Sequence, residues 1–358
     1  MGKKITVIGG GTTGIGTAAM LTMAGHEVTL TDVPELNANL EAVKEKGGIL
    51  VRGNGPRGLA MPACITYDVT AAVADADVIL VSVVGPRHEE IAKLIAPAVR
   101  DGQVIGIAPG NAGSLIFADV FKKAGVTADV VLLEMQRNFF SSRLTGAGEV
   151  NAARGFVKGP AVAFPAKDTD KAFERMEGVL EFTKAKNIFE TTINEANTLN
   201  HLSNSILNTS LIDKSKGKFA LFIDGLTPNV LKGMSICYQE YKAVADAWGY
   251  KSKGDPVPHF ADIADLDNHR ELDLFRSLGG PDTISHRYIS EDAQCSVSLL
   301  VSLGKKAGVK TPFNEAMIAI ASGLNDTDYY GKGCTLENFG LADMTMEQID
   351  HYLETGEK

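Results

Sequence analysis

Apolar residues in the first half of the chain fall into short unbroken runs, each followed by a stretch of helical period. Residues 4–9 read as a strand, 12–25 as a helix, 27–32 as a second strand and about 35–46 as another helix. "GGILVRGNGPRGLA" (47–60) has the glycine punctuation of a hairpin. "ADVILVSV" (76–83), "QVIGIAPG" (103–110) and "ADVVLLEM" (128–135) are continuous apolar runs, the pattern of central strands covered on both faces. Residues 148–166 read as further strand, and about 168–183 as helix. Strands alternating with helices predict a doubly wound, mostly parallel α/β domain of Rossmann type.

From residue 191 the period changes. Helical spacing dominates to about 350, with breaks expected at Gly217, Pro228, Gly249, Pro256 to Pro258, Gly279 to Pro281 and Pro312. The expected organisation is therefore a Rossmann-type domain over 1–188 and an all-α domain over 189–358. No internal repeat or low-complexity segment interrupts either part.

The junction of the first strand and helix carries candidate chemistry. Gly9, Gly11 and Gly14 fit G-x-G-x-x-G, with Thr12 and Thr13 opening the helix. Alone this is a weak signal, since glycines also mark ordinary turns. Here strand, glycines, helix, strand and acid occur in order. Gly9 permits the tight turn, Gly11 lets a pyrophosphate approach the backbone, and Gly14 lets helix and strand pack closely. The first N–H groups of the helix then face the phosphates. Asp32 ends the second strand, where a carboxylate accepts hydrogen bonds from the adenosine ribose and repels a 2′-phosphate. No Arg or Lys occurs from 33 to 43, so NAD is expected over NADP.

Composition narrows the partners. The 358 residues are 44% apolar and 22% charged, enough for a sizeable core. The net charge of −9 and pI of about 5.4 disfavour nucleic acid and anionic membranes as partners. No apolar run suits a membrane span, and the apolar run after Lys3 and Lys4 breaks at Gly9, unlike a signal peptide. Cys64, Cys237, Cys295 and Cys334 lie far apart, which argues against a metal site and a disulfide framework and for the cytoplasm.

Two constellations stand out in the second part. In "INEANTLNHLSNSILN" the residues Asn197, His201, Asn204 and Asn208 recur at helical spacing as a polar stripe. A histidine there suits proton transfer, although a structural histidine satisfied by its neighbours fits as well. In "SHRYISEDAQCSVSLLVSLGKKAGV" (285–309) Ser290 is a candidate N-cap, with Glu291 and Asp292 in the first turn. Cys237, Tyr238, Trp248 and Tyr250 read as core. His88, after a strand end, fits either a ligand site or a helix start.

At these residues the chain resembles the opine dehydrogenase family, the octopine and nopaline type, and in particular its bacterial N-(carboxyalkyl)amino acid dehydrogenases. The resemblance spans nearly the whole chain. It rests on "GGGTTG" (9–14), "SSRLTGAGEVN" (141–151), "LNHLSNSILN" (199–208), "FIDGLTPNV" (222–230), "HRYISEDAQCSVSLLVSLGKKAGVKTP" (286–312) and "NDTDYYGKGCTLENFGL" (325–341). It implies an enzyme in which NAD(P)H reduces the imine formed between an amino acid and a 2-oxo acid. It places the family's catalytic histidine on His201, its partner aspartate on Asp292 and the arginine of the same motif on Arg287. Two carboxylates must be gripped, and Arg287 and Arg143 are candidates for bidentate contacts. Asn197, Asn204 and Asn208 are candidates for lining the substrate site. A homodimer is expected. One competing reading is a 2-oxo-acid reductase of ketopantoate type, which uses a lysine where this chain has His201. The other is an NAD-binding regulator without catalysis, which leaves the polar stripe idle.

Overall fold

The computed structural model describes residues 2–358 apart from 37, 54, 141, 153–155, 157, 196 and 278. The chain divides into two compact units, residues 1–191 with 350–358 and residues 192–349. In the first unit the strands are β1 (Lys4–Ile8), β2 (Glu27–Thr31), β3 (Ile49–Gly53), β4 (Gly58–Ala60), β5 (Cys64–Thr66), β6 (Val78–Val81), β7 (Val104–Ile107), β8 (Val131–Met135), β9 (Ser142–Gly146), β10 (Glu149–Ala152), β11 (Gly159–Phe164) and β12 (Phe182–Lys184). Eight form one sheet in the order β12-β11-β8-β7-β6-β1-β2-β5, and four form a smaller sheet in the order β4-β3-β10-β9. The large sheet is parallel except where β11 runs antiparallel to β8.

The continuous apolar runs work as expected of strands buried on both faces. Ile5, Val7, Val78, Leu80 and Val104 point into one core cluster, while Ile8, Ile79, Val81, Ile105 and Ile107 point into another. That division by alternate residues follows from the period of two along a strand. Strand order reverses at β1, which lies between β2 and β6. In such sheets the crevice for a ligand lies beyond the carboxyl ends of the strands at that reversal. The glycines after β1, Asp32 after β2 and the turn Gly85–Arg87 after β6 all follow those strand ends.

Several boundaries differ from expectation. The expected helix over 168–183 ends at Arg175, and 182–184 is strand β12. Gly178, at φ 76°, takes the chain out of the helical region, and Leu180 and Phe182 then alternate into the core. The stretch 148–166 is two strands in two sheets, β10 and β11, with 153–155 and 157 outside the described residues. The hairpin over 47–60 is β3 with β4, Ile49 opposite Ala60, with residue 54 outside the described residues. The helix expected near 35–46 is a 3-10 turn Pro34–Leu36 and a helix Ala38–Lys46, residue 37 again lying outside.

The second unit is built from helices, including His201–Leu207, Pro228–Ala247, Arg287–Gln294, Ser296–Ala307 and Pro312–Leu324. The breaks expected at Pro228 and Pro312 are helix starts, each proline being the first helical residue, where no proline N–H is needed. The all-α part does not run to 358. Residues 350–358 belong with the first unit, where Asp350 Oδ2 accepts from Lys186 Nζ at 2.8 Å and the Tyr352 ring meets Phe164 edge-on at 5.4 Å.

The glycine motif divides sharply in its steric demands. A Cβ on Gly14 would lie 1.9 Å from the Gly9 carbonyl oxygen, whereas a Cβ on Gly11 would meet nothing within 4 Å. Gly14→Ala should therefore lower stability by about 3 kcal/mol, the upper part of the overpacking range. Gly11→Ala should stay within about 0.5 kcal/mol of the native protein. Urea unfolding of both variants checks the contrast, and equal losses would contradict it.

Candidate active site

Gly11 holds the N-cap position of helix Thr12–Met23 without a side-chain cap, so the first N–H groups of that helix have no partner within it. The open space beside Gly11 is where a pyrophosphate fits, with the N–H groups of Thr12 and Thr13 at its edge. Asp32 is 3% exposed. Its Oδ2 accepts from the Gly10 N–H at 2.6 Å and its Oδ1 from the Val33 N–H at 2.8 Å, which locks the carboxylate against the glycine loop. These residues fit a dinucleotide. One charge was not foreseen: Arg87 Nη1 lies 3.7 Å from Asp32 Oδ1. The window from 33 to 43 missed it because it arrives from the far side of β1, after β6.

His88 is a core residue. It is fully buried, its ring fills the space a Cβ on Gly113 would need, and Phe117 packs edge-on at 6.1 Å. Burial pushes its imidazole down to about 4, so it is neutral at physiological pH.

In the helical unit, His201 Nδ1 lies 3.0 Å from Asp292 Oδ2, with both side chains buried. When Asp292 is ionised its carboxylate only accepts, and the proton of the bond then sits on Nδ1. Helix Arg287–Gln294 delivers Asp292, and the helix opening at His201 delivers the imidazole. Tyr288 stacks on His201 at 3.7 Å between ring centres, within 16° of parallel, and fixes the ring plane. Arg287 sits over the same Tyr288 ring, its Cζ 5.1 Å from the ring centre. Its Nη1 is 3.4 Å from Glu291 Oε2, and the side chain is 48% exposed. The side chain is thus partly open to solvent.

The expected N-cap is corrected. Helix Arg287–Gln294 begins four residues earlier, capped by His286, whose Nδ1 accepts from the Tyr288 N–H at 3.2 Å. Ser290 lies inside it and donates back to the Ser285 carbonyl. Glu291 and Asp292 are therefore not first-turn surface acids but buried residues, 5% and 4% exposed.

Burial pushes Asp292 up to about 7, against the pull of Arg287 and Lys253. Sequence reasoning passed over its neighbour Glu195, which is 3% exposed and accepts from Asn197 Nδ2 at 2.8 Å. Burial, then the carboxylates of Asp292 and Glu291, hold Glu195 well above the usual carboxylate range, with Lys253 opposing. Lys253 Nζ also donates to the carbonyls of Asn194, at 3.2 Å, and Glu195. No local pattern marks it: the acid stands six residues before His201 among threonines and asparagines.

The asparagine stripe divides. The helix covers only His201–Leu207, so Asn197 precedes it, tied by the His201 N–H to the Asn197 carbonyl at 3.0 Å. Asn208 follows it. Asn208 Nδ2 donates to Asn204 Oδ1 at 2.9 Å and to the Gly225 carbonyl at 3.0 Å, while Asn204 Nδ2 points to the Leu221 carbonyl at 3.5 Å. Their amides brace the backbone of 221–225. A Cβ on Gly225 would lie 2.5 Å from the Leu221 carbonyl oxygen and 3.1 Å from Asn208 Nδ2, which explains that glycine in "FIDGLTPNV". Arg143 lies exposed on β9 in the other unit, opposite Asn151.

The family model for "NAD/NADP octopine/nopaline dehydrogenase, alpha-helical domain" matches residues 184–325, the part that carries His201 and Asp292. The chain is also 29% identical to an opine dehydrogenase of Arthrobacter sp. (strain 1C), over 98% of this chain and 99% of that one. The chain is thus similar to opine dehydrogenases both in its helical part and over its whole length. It is accordingly an NAD(P)-dependent oxidoreductase acting on CH–NH donors, and the family's reaction is the reductive condensation of an amino acid with a 2-oxo acid. Its fold agrees with that of a family member solved with NADH and agmatine, an octopine dehydrogenase, at a TM-score of 0.69 and 18% identity, covering 99% of this chain and 98% of that one. A ketopantoate reductase model matches residues 5–153, and a ketopantoate reductase of that family from Ralstonia eutropha aligns over 90% of this chain and 98% of its own at a TM-score of 0.58 and 19% identity. That second likeness to a family model covers the dinucleotide part and stops before the helical unit. Among the described residues no helix is long and apolar enough to cross a membrane.

The raised Glu195 has a signed consequence. Its folded value lies above its unfolded value of about 4.5, so the folded state holds the proton more tightly. Stability is lost as pH rises from about 4.5 towards the folded value, and glutamine carries no such term. Glu195→Gln should therefore gain melting temperature relative to the native protein as pH rises from 4.5 to 8. A difference that is flat with pH would contradict the burial of an ionisable group there.

Proposed function

We propose that this chain joins an L-amino acid to a short 2-oxo acid such as pyruvate, with NAD(H) as the preferred dinucleotide, and that His201 and Asp292 carry the proton chemistry. The observation that supports the reading is the buried 3.0 Å contact between His201 Nδ1 and Asp292 Oδ2, with an arginine of the same helix partly open to solvent. The amine condenses with the carbonyl carbon, water leaves, and a C=N bond remains. A dinucleotide held by the glycine loop and Asp32 would supply the hydride that this carbon takes up. The nitrogen then needs one proton, and His201 delivers it from Nε2 while Asp292 holds Nδ1–H and stabilises the imidazolium. Arg287 grips a substrate carboxylate, and Arg143 is the second candidate for that task. Tyr288 keeps the imidazole plane fixed through the transfer. The thiols of Cys295 and Cys334 share a hydrogen bond without a disulfide, which suits the cytoplasm as its location. A homodimer is its proposed assembly.

NADH oxidation with pyruvate should require an added amino acid, and a grid of amino acids against 2-oxo acids should locate the substrate pair. Reduction of the free 2-oxo acid at the same rate without amine would move the chain to the ketopantoate-type reading. Within the same assay, His201→Ala should lower kcat by a factor on the order of 100 to 10,000, the size of a general acid–base contribution, with NADH affinity retained. A structural histidine predicts the reverse pattern, a lower melting temperature with turnover per folded molecule intact.

A further inference from the structure

We propose that Arg87 reads the 2′ position of the adenosine ribose, so that Asp32 sets the preference for NAD(H) while Arg87 lets the same site take NADP(H). The inference rests on the dinucleotide reading of the glycine loop. Asp32 and Arg87 come from the two strands that flank β1, and they meet at the crevice where strand order reverses. Their separation of 3.7 Å is an ionic contact too long for a hydrogen bond, so Asp32 does not fix the guanidinium.

Glu90 fixes it instead. Arg87 Nε reaches Glu90 Oε2 at 3.1 Å and Nη2 reaches Glu90 Oε1 at 2.8 Å, a two-pronged grip that leaves Nη1 as the corner directed at Asp32. The Arg87 side chain is 21% exposed, so it is held in place yet open on one side. Asp32 is anchored separately by the Gly10 and Val33 N–H groups. A ribose with a free 2′-hydroxyl donates to Asp32 and needs nothing from Arg87. A 2′-phosphate at the same point is repelled by Asp32 and attracted by Arg87 Nη1, two opposed Coulomb effects at similar range. Discrimination against NADP(H) is then partial, and Arg87 is the residue that makes it so.

The test is a fluorescence titration of NADH and NADPH into the native protein, Arg87→Ala, Asp32→Asn and the double variant, with melting temperatures on the same samples. Arg87→Ala should weaken NADPH by about tenfold or more and NADH by less than about threefold, the size expected for one charge-assisted contact to phosphate. Asp32→Asn should tighten NADPH, and the gain should vanish in the double variant. Arg87→Lys, which keeps the charge and loses the fork, should fall between. Equal losses for both dinucleotides in Arg87→Ala, or no loss for either, overturn the proposal. A native protein that binds neither dinucleotide would instead overturn the cofactor reading, so the two failures are distinct.

Discussion

The helical unit is organised around a desolvation problem. Glu195, Glu291 and Asp292 are all nearly excluded from water; burial disfavours the ionisation of Glu195 and Asp292, and the carboxylates of Asp292 and Glu291 disfavour that of Glu195 further. Arg287 and Lys253 supply the compensating positive charge, and His201 supplies a hydrogen-bond donor that can also become a cation. A site so arranged holds protons near neutrality instead of releasing them. That is the property a proton-transfer step needs, and it is also why the surrounding scaffold is so heavily braced. Tyr288 stacks on the imidazole, Asn204 and Asn208 pin the loop at 221–225, and Lys253 ties down the backbone just before His201.

The dinucleotide unit faces a different constraint, close approach of backbone to backbone. Gly14 lies so near the Gly9 carbonyl that no side chain fits, while Gly11 faces open space. The outer glycines, Gly9 and Gly14, build the turn, and Gly11 between them leaves room for a ligand. Asp32 joins the two tasks, since its carboxylate both anchors the Gly10 N–H and stands at the end of β2 where a ribose is read.

The sheet was legible because strands buried on both faces announce themselves as apolar runs, and the glycine motif because its steric needs are local. His201 and Asp292, 91 residues apart, were legible through family resemblance, since nothing in either local pattern says that the two meet. What stayed hidden depended on tertiary contact. Arg87 reaches Asp32 across β1, a proximity no sequence window around Asp32 contains. Glu195 reads as an ordinary acid until its burial is known, and Ser290 reads as a cap until the helix is seen to start at Arg287. Strand β12 was mistaken for helix because three residues are too few to show a period.

The central claim is that Asp292 holds a proton on His201 Nδ1, and nitrogen NMR of histidine-labelled protein tests it most directly, with the His201 signals assigned by their loss in His201→Ala. The account predicts a protonated Nδ1 with a low-field proton resonance that disappears in Asp292→Ala. An Nδ1 without a proton in the native protein, or the same spectrum in both proteins, would contradict it.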